Sequence, residues 1–392
     1  MAPFDRRRFL RSLAGVAAFT VTDGAGRAFA AAAPRPDYRR LLVLVELKGG
    51  NDGLNTLVPF ADPEYYRLRP KLAIAREQAL ALDDACGLHP SLEPLLPLWR
   101  ASQLAVVRGV GYPVPNLSHF RSIEIWDTAS ASDQYLQDGW LTRTFAAAPV
   151  PRSYAADGVV VGSNDLGPLA GDGTRAIALA DTDQFVRQSR LAADSGQSSR
   201  RALAHILKVE ADIRQAALNL DAKTVFRTEF PRGDFGNAVR AACQVISNRA
   251  GIAVARITLG GFDTHQNQAP TQARLLGELA AGLAALKDAL TEIGRWDDTL
   301  VLTYAEFGRR PQENMSGGTD HGTSSVHFAL GGRVVGGLYG AQPSLARLDG
   351  AGNPAFDIDF RSVYATVLER WWNVASATPL QGRFAPLDFL RA

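Results

Sequence analysis

Five short runs of consecutive apolar residues recur along this chain, and they limit its fold more than any other feature. Their ranges are 41–47, 104–110, 175–180, 253–259 and 299–305. Apolar residues at consecutive rather than alternate positions are typical of strands buried on both faces of a parallel sheet. Amphipathic helical stretches lie between them, the clearest at 199–220, 272–293 and 360–372. Strands that alternate with helices predict an α/β fold with a mainly parallel central sheet and helices on both faces.

Polar residues with useful chemistry follow three of these runs, at the ends where α/β sheets form ligand sites. The carboxylates and imidazoles gathered there, or soon after in a glycine-rich loop, are Asp52, Asp263, His265, Glu306, Asp320 and His321. Hard divalent cations prefer carboxylates, and zinc, manganese and iron also accept imidazole. Each element alone also fits a structural role, because Asn, Asp and Gly favour turns. Their coincidence predicts a metal site.

The segments around these residues carry a family resemblance. They are, in chain order, residues 43–60 (LVLVELKGGNDGLNTLVPF), 116–129 (NLSHFRSIEIWDTA), 260–268 (GGFDTHQNQ), 299–314 (TLVLTYAEFGRRPQEN) and 317–332 (GGTDHGTSSVHFALGG). Together they resemble the DUF1501 family of exported bacterial proteins, which is similar to the alkaline phosphatase and sulfatase superfamily. The resemblance implies that residues 41–392 form one domain with an alkaline phosphatase-like fold.

The resemblance also implies roles for the strand-end residues. Asp52 matches the aspartate that bridges toward the metals, and Asp263 with His265 resembles a ligand pair. Glu306 stands where the superfamily has an aspartate, and His321 resembles its later histidine ligand. The ion count stays at one or two, because a phenylalanine follows Glu306 where the superfamily has a histidine. Zinc is the first choice of metal, with manganese, iron or calcium as alternatives.

Four residues have both a functional and a structural interpretation. Ser118 matches the nucleophile position of the superfamily, but serine is also a common helix N-cap. Arg309 or Arg310 would clamp a phosphate or sulfate group, or would pair with nearby carboxylates. Asp320 would supply a metal ligand or would orient His321.

Two other histidines lie within the same segments. On a helix, successive residues point about 100° apart, so His119 is directed away from Ser118 and the two do not form a catalytic dyad. His327 alternates with apolar residues, and we expect it in the core or behind a metal ligand.

These interpretations lead to two functional hypotheses. The first is an exported, metal-dependent hydrolase that acts on a small anionic phosphate or sulfate ester, with Ser118 and Arg309 as catalytic residues. The second is a non-catalytic secreted protein on the same fold, which serves in binding or envelope assembly. The sequence does not indicate a protein partner.

The first thirty residues have the layout of a secretory leader. A basic run at 5–11 precedes a short apolar core at 13–21 and an Ala-Phe-Ala site at 28–30. Paired arginines followed by Phe-Leu indicate a twin-arginine leader. Residues 31–40 would remain as a short arm, and the mature protein would be periplasmic or secreted.

Charge and cysteine content narrow the function further. The leader holds five arginines against two aspartates, so its removal changes the net charge from +2 to −1. Such a balance argues against a nucleic-acid partner, which requires clustered basic residues. No apolar run after the leader is long enough to span a membrane. Cys86 and Cys243 would form a disulfide or remain as buried thiols.

The twin-arginine interpretation makes a direct prediction. Replacement of Arg6 and Arg7 by lysine should leave the precursor in the cytoplasm, because the export route recognises the arginine pair. Cleavage near Ala30 should be lost at the same time, as shown by fractionation and mass spectrometry. Normal export of the double variant would contradict the assignment.

Overall fold

Nine of the strands form one central sheet in the computed structural model, which describes residues 35–179, 224–248 and 251–391. The strands, in chain order, are β1 (Leu41–Lys48), β2 (Leu57–Val58), β3 (Leu80–Ala81), β4 (Gly87–Leu88), β5 (Leu104–Gly111), β6 (Gly158–Val161), β7 (Ala176–Leu179), β8 (Val254–Gly260), β9 (Thr299–Tyr304), β10 (Gly308–Glu313), β11 (Thr319–Gly322), β12 (Ser325–Leu330), β13 (Gly337–Tyr339) and β14 (Ile358–Asp359). The central sheet has the order β13-β5-β12-β9-β1-β8-β6-β7, and β14 pairs with β5. β10 and β11 form a hairpin, and β2, β4 and β3 form a small separate sheet.

The central sheet is mainly parallel, as predicted. β1 pairs in parallel with both β8 and β9, and β6 pairs in parallel with β7 and β8. β12 is the exception, because it runs antiparallel to both β9 and β5. β5 and β9 therefore point the same way, and the carboxyl ends of β5, β9, β1 and β8 meet at one edge of the sheet.

Helices cover both faces of the sheet. They are α1 (Gly53–Thr56), α2 (Pro63–Leu68), α3 (Leu96–Arg100), α4 (His119–Thr128), α5 (Trp140–Ala147), α6 (Asp234–Ile246), α7 (Gln268–Glu292) and α8 (Phe360–Ala365). Three 3₁₀ turns (Pro90–Leu95, Gly167–Leu169 and Trp296–Asp298) and a π-helical segment (Thr366–Trp371) complete the set. Val43 and Val45 share one apolar cluster with α6 and α7. Leu42 and Leu44 share another with α4, α5 and α8. The alternation of side chains along β1 thus fills both cores.

The predicted helices agree with the structure where it describes them. The stretch at 272–293 corresponds to α7, and the stretch at 360–372 corresponds to α8 and the π-helical segment that follows it. The predicted helix at 199–220 and the leader at 1–30 lie outside the described residues. Among the helices that the structure describes, none combines the length and the apolar character needed to cross a membrane.

Both cysteines are free thiols buried against the same apolar cluster. Burial raises the pKa of Cys86 and of Cys243 to about 12, because a thiolate would lose its hydration there. Of the two alternatives that the sequence left open, the structure contains buried thiols that pack as small apolar residues.

Asp52 differs from its predicted role as a metal ligand, because its carboxylate is already surrounded by donors. Arg69 Nη1 lies 2.5 Å from Oδ2 and Arg69 Nη2 lies 3.0 Å from Oδ1. The backbone N–H of Leu54 donates to Oδ1 at 3.1 Å, and the Gln268 amide donates to Oδ2 at 2.5 Å. Asp52 therefore caps α1 and links it to α7, and no motif indicated its partner Arg69.

The Asp52–Arg69 pair should contribute strongly to stability. Both side chains are fully buried, so Arg69→Met leaves an unpaired carboxylate in the interior and should cost about 3–5 kcal/mol of unfolding free energy. The matched control is Arg67→Met, which removes only a solvent-exposed pair with Glu64 and should leave the urea midpoint nearly unchanged. Equal midpoint shifts for the two variants would contradict this role.

Candidate metal centre at the carboxyl ends of the strands

The loops after β1 and β8 approach each other closely at the edge of the sheet. Gly49 and Gly50 both have positive φ, at 116° and 78°. A Cβ atom on Gly49 would lie 2.4 Å from the backbone nitrogen of Asp263, and one on Gly50 would lie 2.5 Å from the ring of Phe307. Only glycine fits both the backbone conformation and the space. The Gly-Gly pair thus allows these loops to meet.

Three histidine side chains converge on the carboxylate of Asp263 at this edge. His265 Nε2 and His321 Nε2 lie 3.1 Å and 3.2 Å from Asp263 Oδ1. His119 Nε2 lies 3.4 Å from Asp263 Oδ2. The Nε2 atoms of His265 and His321 are 3.0 Å apart. Ligand atoms of His119, Asp263 and His321 all lie within 4.8 Å of one another, so these groups can share one cation.

The other ring nitrogen of each histidine faces an oxygen. His321 Nδ1 lies 2.7 Å from the carbonyl oxygen of Leu117, and His119 Nδ1 lies 2.8 Å from Glu306 Oε1. His265 Nδ1 lies 3.3 Å from Asp320 Oδ1. Because a carbonyl or an ionised carboxylate only accepts hydrogen bonds, each Nδ1 carries the proton. This is the arrangement that orients metal-binding histidines in proteins.

The cluster therefore contains several acceptors and few donors. With each neutral imidazole protonated at Nδ1, its Nε2 presents a lone pair toward the Asp263 carboxylate. Two such nitrogens 3.0 Å apart, beside a carboxylate oxygen, repel unless a proton or a cation lies among them. Imidazole nitrogen and carboxylate oxygen are ligands of zinc, and manganese and iron accept them too. The residues present thus fit a divalent metal ion.

The electrostatics favour the metal-binding protonation states of two of these residues. Burial alone would raise the pKa of Asp263, but the hydrogen bond and charge of Arg309 outweigh it and lower that pKa to about 2. Burial lowers the pKa of His321 below its ordinary value. Asp263 is therefore ionised and His321 neutral near pH 7. The hydrogen bond to Glu306 raises the pKa of His119, so this residue holds its protons more firmly.

Two residues predicted as metal ligands stand behind the histidines. Glu306 is buried, and its Oε1 accepts the backbone N–H of Gly49 at 2.9 Å as well as the His119 ring proton. Its Oε2 has no hydrogen-bond partner in the part of the chain that the structure describes. Asp320 contacts His265, whereas the sequence suggested His321 as the residue that it would orient. The structure thus places Glu306 and Asp320 where they position ligands.

Arg309 was predicted to clamp a substrate anion, but its guanidinium is fully buried and engaged with the protein. Its Nε donates to the Gly50 carbonyl at 2.8 Å and its Nη1 to the Thr319 carbonyl at 2.9 Å. Its Nη2 lies 2.7 Å from Asp263 Oδ1 and 3.0 Å from the Phe262 carbonyl, and it also contacts the carbonyl of Gly49. No donor remains directed toward a ligand, so Arg309 fixes Asp263 and the loops around it.

Ser118 lies at the amino end of α4 with its side chain exposed. Its backbone occupies the N-cap position, but its hydroxyl makes no capping hydrogen bond. The next residue, His119, carries one of the ligand nitrogens. The hydroxyl is thus not used as a cap, and its role as a nucleophile stays a prediction.

His119 is the site residue that sequence reasoning missed. The sequence assigned it no ligand role, but its ring faces Asp263 and Glu306. A usable signal was present, because His119 follows β5, whose carboxyl end lies at the same edge as those of β1, β8 and β9. His327, by contrast, belongs to the core, where its ring packs edge-on against Trp126 at 5.2 Å.

Solved structures with a similar fold come from several bacterial enzymes. The PsFucS1 sulfatase from Pseudoalteromonas sp. is 11% identical, with a TM-score of 0.40 over 91% of this chain and 71% of that one. The zinc complex of the periplasmic domain of EptC from Escherichia coli is 11% identical, with a TM-score of 0.38 over 76% and 73%. Alkaline phosphatase from the Antarctic bacterium TAB5 is 12% identical, with a TM-score of 0.36 over 78% and 95%.

A comparison with curated proteins gave no match. At the family level the result is clear, because the family model described as "Protein of unknown function (DUF1501)" matches residues 39–381, which is most of the chain. The resemblance first noted from the five sequence segments is thereby confirmed, and the chain belongs to the DUF1501 family.

Proposed function

We propose that this chain is an exported, metal-dependent hydrolase of phosphate or sulfate esters. The observation that supports it most is the set of acceptors at the sheet edge, where three histidine Nε2 atoms face the Asp263 carboxylate. A purely structural cluster would normally balance its acceptors with donors. Export is part of the proposal on the strength of the twin-arginine motif at the start of the sequence.

One ion per chain fits the residues better than two. The ligands of this ion would be His119, Asp263, His265 and His321. A second site of the superfamily type would need Asp52, which is occupied by Arg69, and a histidine at the position of Phe307. The ring of Phe307 packs at 4.4 Å from that of His321 and fills this space with an apolar wall. Zinc is the first choice, since calcium prefers shells made of oxygen alone.

The chain's own residues would share the work of ester cleavage. A bound divalent ion would supply a Lewis acid that offsets negative charge on the transferred group. Ser118 would provide the nucleophilic hydroxyl, and the free backbone N–H groups at the start of α4 would stabilise the anion. Arg310 is the remaining arginine candidate for an anion clamp, because its buried Nε has no hydrogen-bond partner among the described residues.

A second candidate function is a metal-holding protein without catalytic activity. The hydrogen bonds of Arg309 favour it, because this guanidinium was expected to bind the substrate anion and instead binds oxygens of the protein. In this case the same four ligands would hold the ion, but no ester would be turned over.

Metal content tests the centre directly. Protein purified from the periplasm should contain about one divalent ion per chain, and His321→Gln should lose most of it. Glu306→Gln should weaken metal affinity by on the order of 10–100-fold, because it removes the partner that orients His119. The control His89→Asn, which lies outside the site and keeps a capping acceptor for Ser91, should retain the ion. Equal metal content in all of these proteins, measured by elemental analysis, would contradict the ligand set.

Turnover of activated esters separates the hydrolase from the binding protein. Metal-loaded protein should hydrolyse p-nitrophenyl phosphate or p-nitrophenyl sulfate, and Ser118→Ala should reduce kcat by on the order of 10³-fold or more, with metal content and Tm unchanged. Ser316→Ala is the matched control, because this exposed serine lies on the nearby hairpin. A metal-loaded wild type that turns over neither ester would support the binding protein instead.

A further inference from the structure

Exposed apolar side chains occur on two chain segments that also carry residues of the metal centre. Among the described residues, four of the seven large apolar side chains that are exposed lie on two segments that flank it. Val114, Phe120 and Tyr135 belong to the segment around α4 and are 80%, 89% and 73% exposed, and Met315 at the β10–β11 turn is fully exposed. Single exposed apolar residues are ordinary, but a group of them beside a site is characteristic of ligand contact. We call these four residues the apolar rim.

The rim is attached directly to the residues that form the centre. Phe120 follows His119, and the same segment provides the Leu117 carbonyl that accepts the ring proton of His321. Met315 follows Asn314, whose amide donates to the carbonyl of His265 at 2.9 Å. Two of the four rim residues are thus immediate sequence neighbours of residues in or next to the centre.

The rim is held in place by polar contacts beneath it. The Ser132 hydroxyl donates to the carbonyl of Pro113 at 3.3 Å, and Arg121 donates to the carbonyl of Ser132 at 3.1 Å. The Arg121 guanidinium also lies over the Tyr135 ring, at 3.9 Å from its centroid. These contacts order the backbone next to Val114 and the Tyr135 ring before any ligand arrives, which reduces the entropy cost of binding.

Val114 has a strained backbone conformation, which lowers the stability of the fold. Its φ is 51°, a left-handed conformation that β-branched residues rarely adopt. Its side chain gains no burial in return, since it is 80% exposed. Strained, exposed positions of this kind cluster at ligand sites, where contact with another molecule compensates for the strain.

We propose that the apolar rim receives the hydrocarbon part of an amphiphilic phosphate or sulfate ester whose anionic head lies at the metal centre. This inference rests on the proposed function and names its substrate class. Four side chains are too few for a stable protein interface, which needs about 20–30 residues on each side. They match one alkyl chain or ring that extends from a head group bound among the histidines.

Binding of two phosphonates by calorimetry tests the inference, because phosphonates carry the same anionic head but resist hydrolysis. Metal-loaded wild type should bind octylphosphonate, below its micelle concentration, at least about tenfold more tightly than methylphosphonate, which is about 1.4 kcal/mol. Phe120→Ser should reduce this preference to near unity and leave the affinity for methylphosphonate unchanged. The control Val225→Ser, exposed at 91% outside the two segments, should keep the preference. Methylsulfonate and octylsulfonate provide the same comparison for a sulfate site.

The outcomes separate this inference from the proposed function. Equal affinity for the short and long ligands of a pair, or a preference that survives Phe120→Ser, would overturn the apolar rim while the anion site stands. Failure of all four ligands to bind metal-loaded protein would overturn the hydrolase proposal and this inference with it.

Discussion

The buried guanidinium of Arg309 is the interaction on which the whole strand-end site depends. It joins the carbonyl groups of Gly49 and Gly50 after β1, the Phe262 carbonyl after β8, and the Thr319 carbonyl on β11. These loops come from distant parts of the chain, and their backbone oxygens would repel one another without a shared donor. A guanidinium has five N–H groups in a fixed fork and stays charged when buried, so no other side chain could serve them all.

The same arginine sets the charge of the centre. Its contact with Asp263 keeps this carboxylate ionised, and the carboxylate in turn faces the Nε2 atoms of the histidines. Glu306 and the Leu117 carbonyl hold the opposite ring nitrogens of His119 and His321. The buried Arg309 thus fixes the charge of the half-exposed Asp263. Asp263 in turn faces the lone pairs of the histidine nitrogens at the surface.

Much of this arrangement could be predicted from the sequence, because buried parallel strands are recognisable as continuous apolar runs. Their carboxyl ends lie at the same edge of the sheet. Asp263 and His265 follow from that rule, whereas His321 was indicated by the glycine-rich loop and lies on β11 of the hairpin. Asp52 follows from the rule too, but its partner Arg69 lies seventeen residues later in a segment with no motif. The reversal of β12 between β9 and β5 was equally hidden, because an apolar run has no direction. Sequence patterns indicate which residues reach the sheet edge. The hydrogen bonds and ion pairs that each residue forms there decide whether it becomes a metal ligand, a helix cap or a residue that positions a ligand.

The start of α4 shows how side-chain contacts give different roles to residues that are adjacent in sequence. Successive side chains in an α-helix turn by about 100°, so His119 and Phe120 leave α4 on different sides, and Ser118 precedes them as the N-cap. The imidazole points inward to Asp263 and Glu306, the phenyl ring points into solvent, and the hydroxyl is left without a capping partner. Three neighbours at the start of one helix thus provide a hydroxyl without a capping partner, a candidate metal ligand and an exposed apolar ring. A substrate with an anionic head and an apolar tail would meet all three at once.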